Sequence, residues 1–366
     1  MKIAYGLFGY GQGHATRALS VLPLLERHHD VMLLSSGDAL HALSPYRVYE
    51  LPNLRYEYNA VGERCLFRTA RAHATTIADA ILGGPALEDV VRALREFAPD
   101  VAICDCDPFI HHAAARLGIP RVSFDHFGVL AFCRIAMPLA DRIRAARDVA
   151  AYRTLIGNPQ RIVVSSFFDA PAARSGVKLV AALVRQEVRD VSPSQGEHLL
   201  VYLNNGRWQM TPNVEEALRA LRVPVVVYGT DRRGDDGWLS FRAPARRGFI
   251  DDLARSIAVF GTAGNQLVAE ALHLGKPMLV VPENTVEQRT NARAVEGMGF
   301  GRAVAHSEVT AHVIRSFLSE VPKRRTTARR FARDGTNEAA TTLLRFAAEL
   351  SGRRGARTGL GAVSVA

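Results

Sequence analysis

The chain has 366 residues, and its 46 lysines and arginines exceed its 36 aspartates and glutamates, which gives a formal net charge of +10. At about 150 residues per domain, this length predicts two domains. With 48% hydrophobic and 22% charged residues, the composition is that of a globular protein and excludes a disordered, collagen-like or disulfide-framed chain.

Membrane and disulfide signals are missing from the sequence. No apolar run approaches the roughly 18 uncharged residues that a membrane-spanning helix needs. The N-terminal segment is short and broken by glycine, unlike a signal peptide, so we expect a cytoplasmic protein. The four cysteines show no CxxC spacing, which indicates neither a zinc site nor a disulfide framework.

Short apolar runs alternate with helix-like stretches along the first half of the chain. We predict strands at residues 3–8, 31–35, 101–104 and 121–124, and helices at residues 15–27, 85–97 and 109–117. Apolar runs that are separated by helices indicate a parallel sheet covered on both faces. This pattern predicts a first domain over residues 1–185.

A polar segment that contains proline and glycine, residues 186–198, is interpreted as the linker. The alternation then restarts, with predicted strands at residues 199–203, 223–228, 257–260 and 277–281 and helices at residues 214–221, 265–274 and 291–298. A second doubly wound domain is therefore predicted over residues 199–322. C-terminal helices follow at residues 323–350, the last of them returning to the first domain, and residues 351–366 are expected to be disordered.

Positive charge is concentrated towards the C-terminus. From residue 301 onward the chain carries twelve lysines and arginines against five acids. A solvated, arginine-rich helix face and a surface for an anionic partner, such as a membrane, both stay open as interpretations. Aromatic residues do not alternate with these charges, so binding of nucleic acid is disfavoured.

The first predicted strand runs into a glycine loop, Gly6-Leu7-Phe8-Gly9-Tyr10-Gly11-Gln12-Gly13-His14, directly before a helix. Such a loop lets a ligand approach the backbone closely, and the helix N-terminus favours an anion. The spacing does not fit the dinucleotide fingerprint, which disfavours a nicotinamide enzyme. An imidazole at this edge suits proton transfer, so we predict that His14 is catalytic, with an incidental histidine as the alternative.

Two carboxylates, Asp105 and Asp107, follow the strand predicted at residues 101–104. Ligands of open α/β sheets bind at this edge. Three roles stay open: orienting a catalytic imidazole, holding a divalent metal with a diphosphate, or capping the helix that begins near Phe109. We favour the first role for Asp105 and therefore expect that the site binds no metal ion. Asp125 and His126 follow the next strand, either as acceptor-side groups or as structural residues.

The strongest pattern lies in the second domain, at Phe260-Gly261-Thr262-Ala263-Gly264-Asn265. A glycine loop that presents free amides at a helix N-terminus is a ready diphosphate site. Glu270 lies on that helix, where a carboxylate can bind two ribose hydroxyls. Glu287 and Gln288 follow the next strand and offer groups that suit sugar hydroxyls. A glycine-capped helix with ordinary surface polar residues is the structural alternative.

These segments resemble GT-B glycosyltransferases that use nucleotide sugars, including UDP-dependent transferases and the peptidoglycan GlcNAc transferase. The resemblance rests on the string E-A-L…G-K-P-M…P…E-Q…N-A within residues 270–292, on Phe249-Ile250-Asp251-Asp252-Leu253, and on Gly11-Gln12-Gly13-His14. It implies an α/β fold with two Rossmann-like, doubly wound domains that face a cleft.

The resemblance also implies roles for residues. His14 is the base that deprotonates the acceptor hydroxyl, and Asp105 is its partner. On the donor side, Phe249-Ile250 contacts the nucleobase and Gly264-Asn265 binds the diphosphate. Glu270 contacts the ribose, and Glu287-Gln288 binds the hexose. The acceptor or phosphate side comprises Gly11, Gly13, Arg17, Asp107, Asp125 and His126. Phe260 stands where many members carry histidine, so that phosphate contact is either missing or supplied by Arg17 or Asn205.

The implied activity is inverting, metal-independent transfer of a sugar from a nucleotide-diphosphate donor, linked to UDP or dTDP, to an acceptor hydroxyl. No cofactor is expected. A sugar-nucleotide 2-epimerase of the same fold and a non-catalytic anion-binding module stay as alternatives. The expected partners are the nucleotide sugar and an acceptor, and peripheral contact with an anionic membrane surface stays open.

Overall fold

The computed structural model describes residues 1–60, 62–194, 196–243 and 245–360. Its contacts divide the chain into two compact α/β units. Unit 1 contains Met1–Glu57, Cys65–Leu183 and the chain from Gly335 onward, and unit 2 contains Tyr58–Arg64 and Val184–Asp334.

Unit 1 is built on a parallel seven-stranded sheet in the order β3-β2-β1-β4-β5-β6-β7. Its strands are β1 (Lys2–Leu7), β2 (Asp30–Ser35), β3 (Val48–Glu50), β4 (Val101–Asp105), β5 (Arg121–Asp125), β6 (Arg161–Ser166) and β7 (Val177–Ala181). The helices are α1 (Gln12–Leu25), α2 (Gly37–Ala42), α3 (Leu66–Ala72), α4 (Ala74–Ala78), α5 (Pro85–Phe97), α6 (Pro108–Arg116), α7 (Gly128–Phe132), α8 (Leu139–Ile156) and, at the C-terminus, α17 (Thr336–Leu360). A π-helical turn covers Asp79–Gly83.

Each face of the unit 1 sheet has its own core. Tyr5 and Ile103 pack with Leu343 of α17 on one face, where α1 and α17 cover the sheet. Cys104 and Phe109 lie in the core of the opposite face, beneath α5 and α6. Because successive residues of a strand point to opposite faces, the fully buried β4 feeds both cores.

Unit 2 is built on a second seven-stranded sheet, in the order β10-β11-β9-β8-β12-β13-β14, which is parallel except at β10. Its strands are β8 (Leu199–Tyr202), β9 (Val225–Tyr228), β10 (Gly234–Asp236), β11 (Leu239–Phe241), β12 (Ala258–Gly261), β13 (Met278–Val280) and β14 (Gly301–Ala303). The helices are α9 (Gln186–Arg189), α10 (Gly206–Gln209), α11 (Pro212–Arg219), α12 (Arg246–Arg255), α13 (Asn265–His273), α14 (Val286–Gly297), α15 (Ala311–Ser319) and α16 (Val321–Arg330). A 3-10 turn covers His306–Glu308.

The segment predicted as a linker, residues 186–198, is partly folded. It begins with α9, whose Val188 is fully buried. Arg189 of the same helix forms an ion pair with Asp334 at 2.9 Å. The segment predicted as the linker therefore contains a short helix, which one buried apolar side chain and one ion pair connect to other residues of unit 2.

The C-terminal region also differs from its prediction. The helices predicted over residues 323–350 are shared between the units, with α16 in unit 2 and α17 in unit 1. Helix α17 continues to Leu360, so the prediction of disorder from residue 351 is wrong as far as that residue. The rest of the predicted tail, residues 361–366, lies outside the described residues.

A short piece of the predicted first domain, Tyr58–Arg64, belongs to unit 2. Asn284 donates a hydrogen bond to the Glu63 carboxylate at 2.8 Å, and Arg64 lies 3.4 Å from the Glu283 carboxylate. These contacts, rather than any apolar period in the sequence, determine where the segment lies. Among the described residues, no helix has the length and apolar character needed to cross a membrane.

Candidate active site

The first cluster of polar residues lies where β1 and β4, neighbours in the unit 1 sheet, reach their carboxyl ends. Leu7 pairs with Asp105 in the register of these strands. The loop after β1 turns at Gly11, whose φ of +72° is a conformation that favours glycine, and α1 begins at the next residue. His14, in the first turn of α1, places Nδ1 at 2.7 Å from Oδ1 of Asp105. The sheet register and one glycine turn thus bring together residues 91 positions apart.

Arg17, one turn further along α1, holds the same carboxylate. Its Nε donates to Oδ2 of Asp105 and its Nη2 to Oδ1, both at 2.8 Å. Burial by itself would raise the pKa of Asp105, but Arg17 and His14 outweigh that effect and hold the pKa below its ordinary value. Asp105 is therefore a buried, ionised group that orients the imidazole. The expectation that Arg17 contacts a phosphate is not supported, because its guanidinium is buried and engaged by Asp105.

In the described part of the chain, one group of side chains has ligand atoms close enough to hold a metal ion: His14, Asp105 and Cys106, all within 4.8 Å of one another. The chemistry of this group is unfavourable for a cation. Both Asp105 oxygens accept hydrogen bonds from Arg17, and the guanidinium Nη2 lies 3.1 Å from Nδ1 of His14. A divalent ion here would meet a fixed positive charge.

Asp107, the second acid of the D-x-D pair, caps α6. Its Oδ1 accepts a hydrogen bond from the backbone amide of Ile110 at 3.2 Å. Burial raises its pKa to about 7, against the lowering effect of the amides of Ile110 and Phe109. The residue is 1% exposed, and its Oδ2 finds no partner among the described residues. The structure thus favours the capping role over a metal site.

Asp125 and His126 have structural partners. The Asp125 carboxylate accepts hydrogen bonds from the Gly128 amide and the Tyr152 hydroxyl, both at 2.6 Å. His126 is buried, and its Nδ1 lies 2.8 Å from the Ser165 carbonyl. Both residues lie at the predicted sheet edge, but these bonds tie β5 to α7, α8 and β6. The structure thus shows the structural role that the sequence left open for both residues, and an acceptor-side role stays a prediction.

The second candidate site is the glycine loop of unit 2, between β12 and α13. Gly264 is the N-cap of α13 and has an ordinary φ of −69°, so the backbone does not require glycine there. A Cβ atom built on Gly264 would meet nothing within 4 Å. Open space therefore lies over the amide-rich start of α13, where Asn265 is the first helical residue.

Two side chains of α14 fix the shape of this loop. Oε1 of Gln288 accepts hydrogen bonds from the Ala263 amide at 3.0 Å and the Glu283 amide at 3.1 Å. Asn291 donates to the Ala263 carbonyl at 2.8 Å. Gln288 is buried, so its carbonyl holds two loops together, whereas the sequence predicted a hexose contact. The neighbouring Glu287 is half-buried.

Glu270 lies on α13 as predicted and has partners that the sequence did not indicate. Arg185, at the start of unit 2, donates to both carboxylate oxygens at 2.6 Å. Gln266 adds a third hydrogen bond at 2.8 Å. The side chain of Glu270 is 1% exposed and that of Arg185 is 14% exposed, so the carboxylate is buried beneath the guanidinium group that neutralises it. No motif spacing in the sequence pointed to Arg185.

The predicted nucleobase contact, Phe249-Ile250, lies on α12. The Phe249 ring meets the rings of Tyr202 and Tyr228 edge-on, with centroids 5.2 and 5.3 Å apart. Ile250 is fully buried. The Arg185 guanidinium lies 5.9 Å from the Phe249 ring centroid, so this aromatic group and the Arg185–Glu270 pair are neighbours.

Asn204, the neighbour of the predicted Asn205, reaches the glycine loop of unit 2. Its Nδ2 donates to the Thr262 hydroxyl at 2.9 Å and lies 3.3 Å from the Glu283 carboxylate. The backbone amide of Asn205 donates to Oε1 of Gln209 at 3.1 Å, and the phosphate contact of Asn205 stays a prediction. The signal for Asn204 was present, because it follows the carboxyl end of β8 closely, and β8 pairs with β12.

Residues 1–322 match a family model described as glycosyl transferase family 1. The chain belongs to that family. An uncharacterized glycosyltransferase from Methanosarcina acetivorans is 26% identical over 361 residues, covering 87% of this chain and 90% of the relative. The family and this relative identify the protein as a glycosyltransferase.

Solved structures support the GT-B fold of this glycosyltransferase. The glycotransferase of kitacinnamycin superposes with a TM-score of 0.66 at 18% identity, covering 94% of this chain and 98% of that chain. Phytolacca americana UGT2, complexed with UDP-2fluoro-glucose and pterostilbene, gives a TM-score of 0.67 at 16% identity, covering 96% of this chain and 100% of that chain. The GT-B fold predicted from the sequence, with two doubly wound sheets, is confirmed.

Proposed function

We propose that this glycosyltransferase is an inverting, metal-independent enzyme that moves a sugar from a nucleotide-diphosphate donor to an acceptor hydroxyl, with His14 as the general base. The observation that carries the proposal is the 2.7 Å contact between Nδ1 of His14 and the buried Asp105. When Nδ1 carries the hydrogen that Asp105 accepts, Nε2 is the basic nitrogen. His14 is 23% exposed at its side chain, so a substrate can approach it.

The reaction balances in one displacement. The acceptor hydroxyl gives its proton to Nε2 of His14 while its oxygen forms a bond to the anomeric carbon. The bond from that carbon to the β-phosphate oxygen breaks, and the nucleoside diphosphate leaves with the electron pair. Attack opposite to the leaving group inverts the anomeric configuration. Asp105 stabilises the imidazolium that forms, as the carboxylate does in catalytic triads.

The donor side belongs to unit 2 in this proposal. The amides at the start of α13 and the positive end of its dipole suit the charge that develops on the departing diphosphate. The open space over Gly264 supports that role. Glu270 and Glu287 are the proposed contacts for ribose and hexose, and Phe249 for the base. The donor class proposed is UDP- or dTDP-linked.

Metal independence follows in this proposal from the Arg17 guanidinium. Arg17 already neutralises Asp105, the acid that a D-x-D metal site would use, and Oδ1 of the buried Asp107 caps the N-terminus of α6. The 2-epimerase alternative gains no support, since the matched family and the relatives are named for sugar transfer.

The test is a product assay on the full chain with UDP- and dTDP-sugars and a panel of hydroxyl acceptors, in the presence of chelator. We expect free nucleoside diphosphate together with a new glycoside of inverted configuration, which the anomeric coupling in the NMR spectrum reports. His14→Gln is the matched control. A retained configuration, loss of activity on chelation, or an isomerised nucleotide sugar without glycoside would each contradict a part of the proposal.

A further inference from the structure

Helix α8 of unit 1 carries two stripes of residues on different sides. Its buried residues are Asp141, Ala145, Tyr152 and Ile156. On the outward side, Leu139 and Ile143 are 68% and 66% exposed, and exposed alanines follow at 146 and 150. The spacing i, i+4, i+7, i+11 places these four residues on one helical face. We call this face the α8 stripe.

The first half of α8 extends beyond the sheet. Near its end, the Ile156 carbonyl accepts a hydrogen bond from Arg121, the first residue of β5. Four residues earlier, the Tyr152 hydroxyl reaches Asp125, the last residue of β5. From Tyr152 back to Leu139 the helix covers about 20 Å at 1.5 Å per residue. Leu139 and Ile143 therefore lie past the carboxyl edge of the sheet, the edge at which Asp105 ends β4.

Arginines flank the α8 stripe. Arg142, Arg144, Arg147 and Arg153 are exposed on α8, whereas Asp141 is buried. Arg147 is paired with Asp148, and Arg153 donates to the Ala131 carbonyl at 3.0 Å. An apolar stripe with arginines on both sides is the pattern of a helix that lies in the interface of an anionic bilayer. Pairing of two copies through this stripe would instead bring equal positive charges together, because a two-fold interface uses the same patch twice.

Exposed large hydrophobic side chains, including the two of the α8 stripe, are distributed unequally between the units. Among the described residues, the large hydrophobic side chains that are exposed are Leu66, Phe67, Leu82, Leu139 and Ile143 in unit 1 and Trp238 in unit 2. Large hydrophobic side chains that are exposed together mark interaction surfaces, whereas a scattered one needs no explanation.

The basic C-terminal segment offers a weaker surface than its composition indicated. Arg315, Arg324 and Arg325 each donate to backbone carbonyls within unit 2. Arg324 also forms an ion pair with Glu320. These arginines stabilise the fold, so the charge in that segment is partly used internally.

We propose that the α8 stripe is a docking surface for an anionic lipid bilayer. Leu139 and Ile143 enter the boundary between headgroups and acyl chains, and the flanking arginines bind lipid phosphates. The proposal does not depend on the mechanism proposed above, since none of these residues belongs to the catalytic or donor sites.

The test is co-sedimentation of the full chain with vesicles of phosphatidylcholine and phosphatidylglycerol, compared with vesicles of phosphatidylcholine alone. We expect binding to the anionic vesicles that weakens as salt is added. The double variant Leu139→Ser, Ile143→Ser should lose about tenfold in vesicle affinity. Trp238→Ser, which removes a comparably exposed side chain from unit 2, is the matched control and should bind like the wild type.

A second variant keeps the test decisive if Leu139→Ser, Ile143→Ser is less stable than the wild type. Arg142→Glu with Arg147→Glu changes only exposed charges and should lower binding to anionic vesicles. Transfer to a soluble acceptor should be unchanged in both variants, which separates this proposal from the catalytic one. Wild-type affinity of the double variants, absence of binding to anionic vesicles, or a wild-type dimer that dissociates on Leu139→Ser, Ile143→Ser would overturn the proposal.

Discussion

Arg185 holds both carboxylate oxygens of Glu270, each at 2.6 Å, in the buried part of unit 2. Removal of one partner of a buried ion pair destabilises the folded protein far more than replacement of both partners by apolar residues. The reason is that the remaining partner keeps a charge that nothing compensates. Glu270 is therefore important for the folded state as well as for the ribose contact proposed above.

We predict that Glu270→Ala weakens binding of the nucleoside diphosphate and of the nucleotide sugar alike, since both contain the ribose. The variant should also lose about 3–5 kcal/mol of unfolding free energy, because Arg185 is left without its partner. Calorimetric titration and urea unfolding measure the two effects. Glu287→Ala is the control and should weaken only the nucleotide sugar. An unchanged unfolding free energy for Glu270→Ala would show that the pair does not form in solution.

Substitution of Gln288 should affect ligand binding differently from substitution of its neighbour Glu287. Gln288→Ala leaves the amides of Ala263 and Glu283 without their acceptor, at about 1–3 kcal/mol for each unsatisfied group. Because the amides of the glycine loop then lose their position, we expect the bare nucleoside diphosphate to bind as poorly as the nucleotide sugar. Gln288→Glu keeps an acceptor and should restore most of the binding. A selective loss of the nucleotide sugar would favour direct contact with the hexose.

His14→Ala should lower turnover by about 10²–10⁴, the usual contribution of a general base. Donor affinity should stay near that of the wild type, because the proposed donor contacts belong to unit 2. Steady-state kinetics and titration with the nucleotide sugar measure both quantities. Asp105→Asn should also lower turnover and create no need for metal. Wild-type turnover of His14→Ala at neutral pH would remove the proposed base.

Arg17→Gln should lower the stability of the protein most at neutral pH and least in acid. In the wild type the pKa of Asp105 lies below its ordinary value, so its stabilising effect is present above the unfolded-state pKa and is lost as pH falls through the folded-state pKa. Without Arg17, the pKa of Asp105 in the folded state is higher, so the folded variant holds a proton that the folded wild type has lost. Urea unfolding at several pH values should show a deficit in unfolding free energy that grows as pH rises. An equal deficit at every pH would mean that Arg17 does not control the ionisation of Asp105.

Asp107→Asn should stabilise the protein increasingly as pH rises. Burial raises the pKa of Asp107 to about 7, so between about 4 and 7 the folded state holds a proton that the unfolded state has lost. Stability contributed by this group therefore falls with pH, by at most about 1.4 kcal/mol per pH unit. Asparagine keeps an oxygen for the Ile110 amide and does not ionise. Urea unfolding at several pH values should show a growing difference, and a constant difference would place the pKa elsewhere.

Apolar periodicity was sufficient to predict β1, β2, β4 and β5 of the first sheet and β8, β9, β12 and β13 of the second, but the buried interior strand β6 was not predicted. β1, β4, β8 and β12 are buried on both faces, so they appear as uninterrupted apolar runs. Strands at the edges of the sheets have a weaker apolar pattern, because they are less buried. β3, which is only half-buried, and β10, which is exposed, were not predicted.

Side-chain partners were harder to predict than sheet position. The sequence placed Asp125 and Asp107 at the carboxyl edge of the sheet correctly, since the strand ends determine that position. Whether an acid faces a ligand or a protein donor depends on neighbours such as Tyr152, which is distant in the chain. Gln288 and Arg185 illustrate the same limit, because their partners belong to other elements of unit 2.

The order of synthesis has an unusual consequence for this chain. Helix α17 supplies Leu343 and Ala347 to the core of unit 1, although Val184–Asp334 of unit 2 separates it in the sequence from the rest of unit 1. Domains generally fold in the order in which they leave the ribosome. Here the sheet of unit 1 stays without one of its covering helices until Val184–Asp334 has been made. Unit 1 is therefore completed only after unit 2, and until then one apolar face of its sheet lacks the residues that α17 contributes.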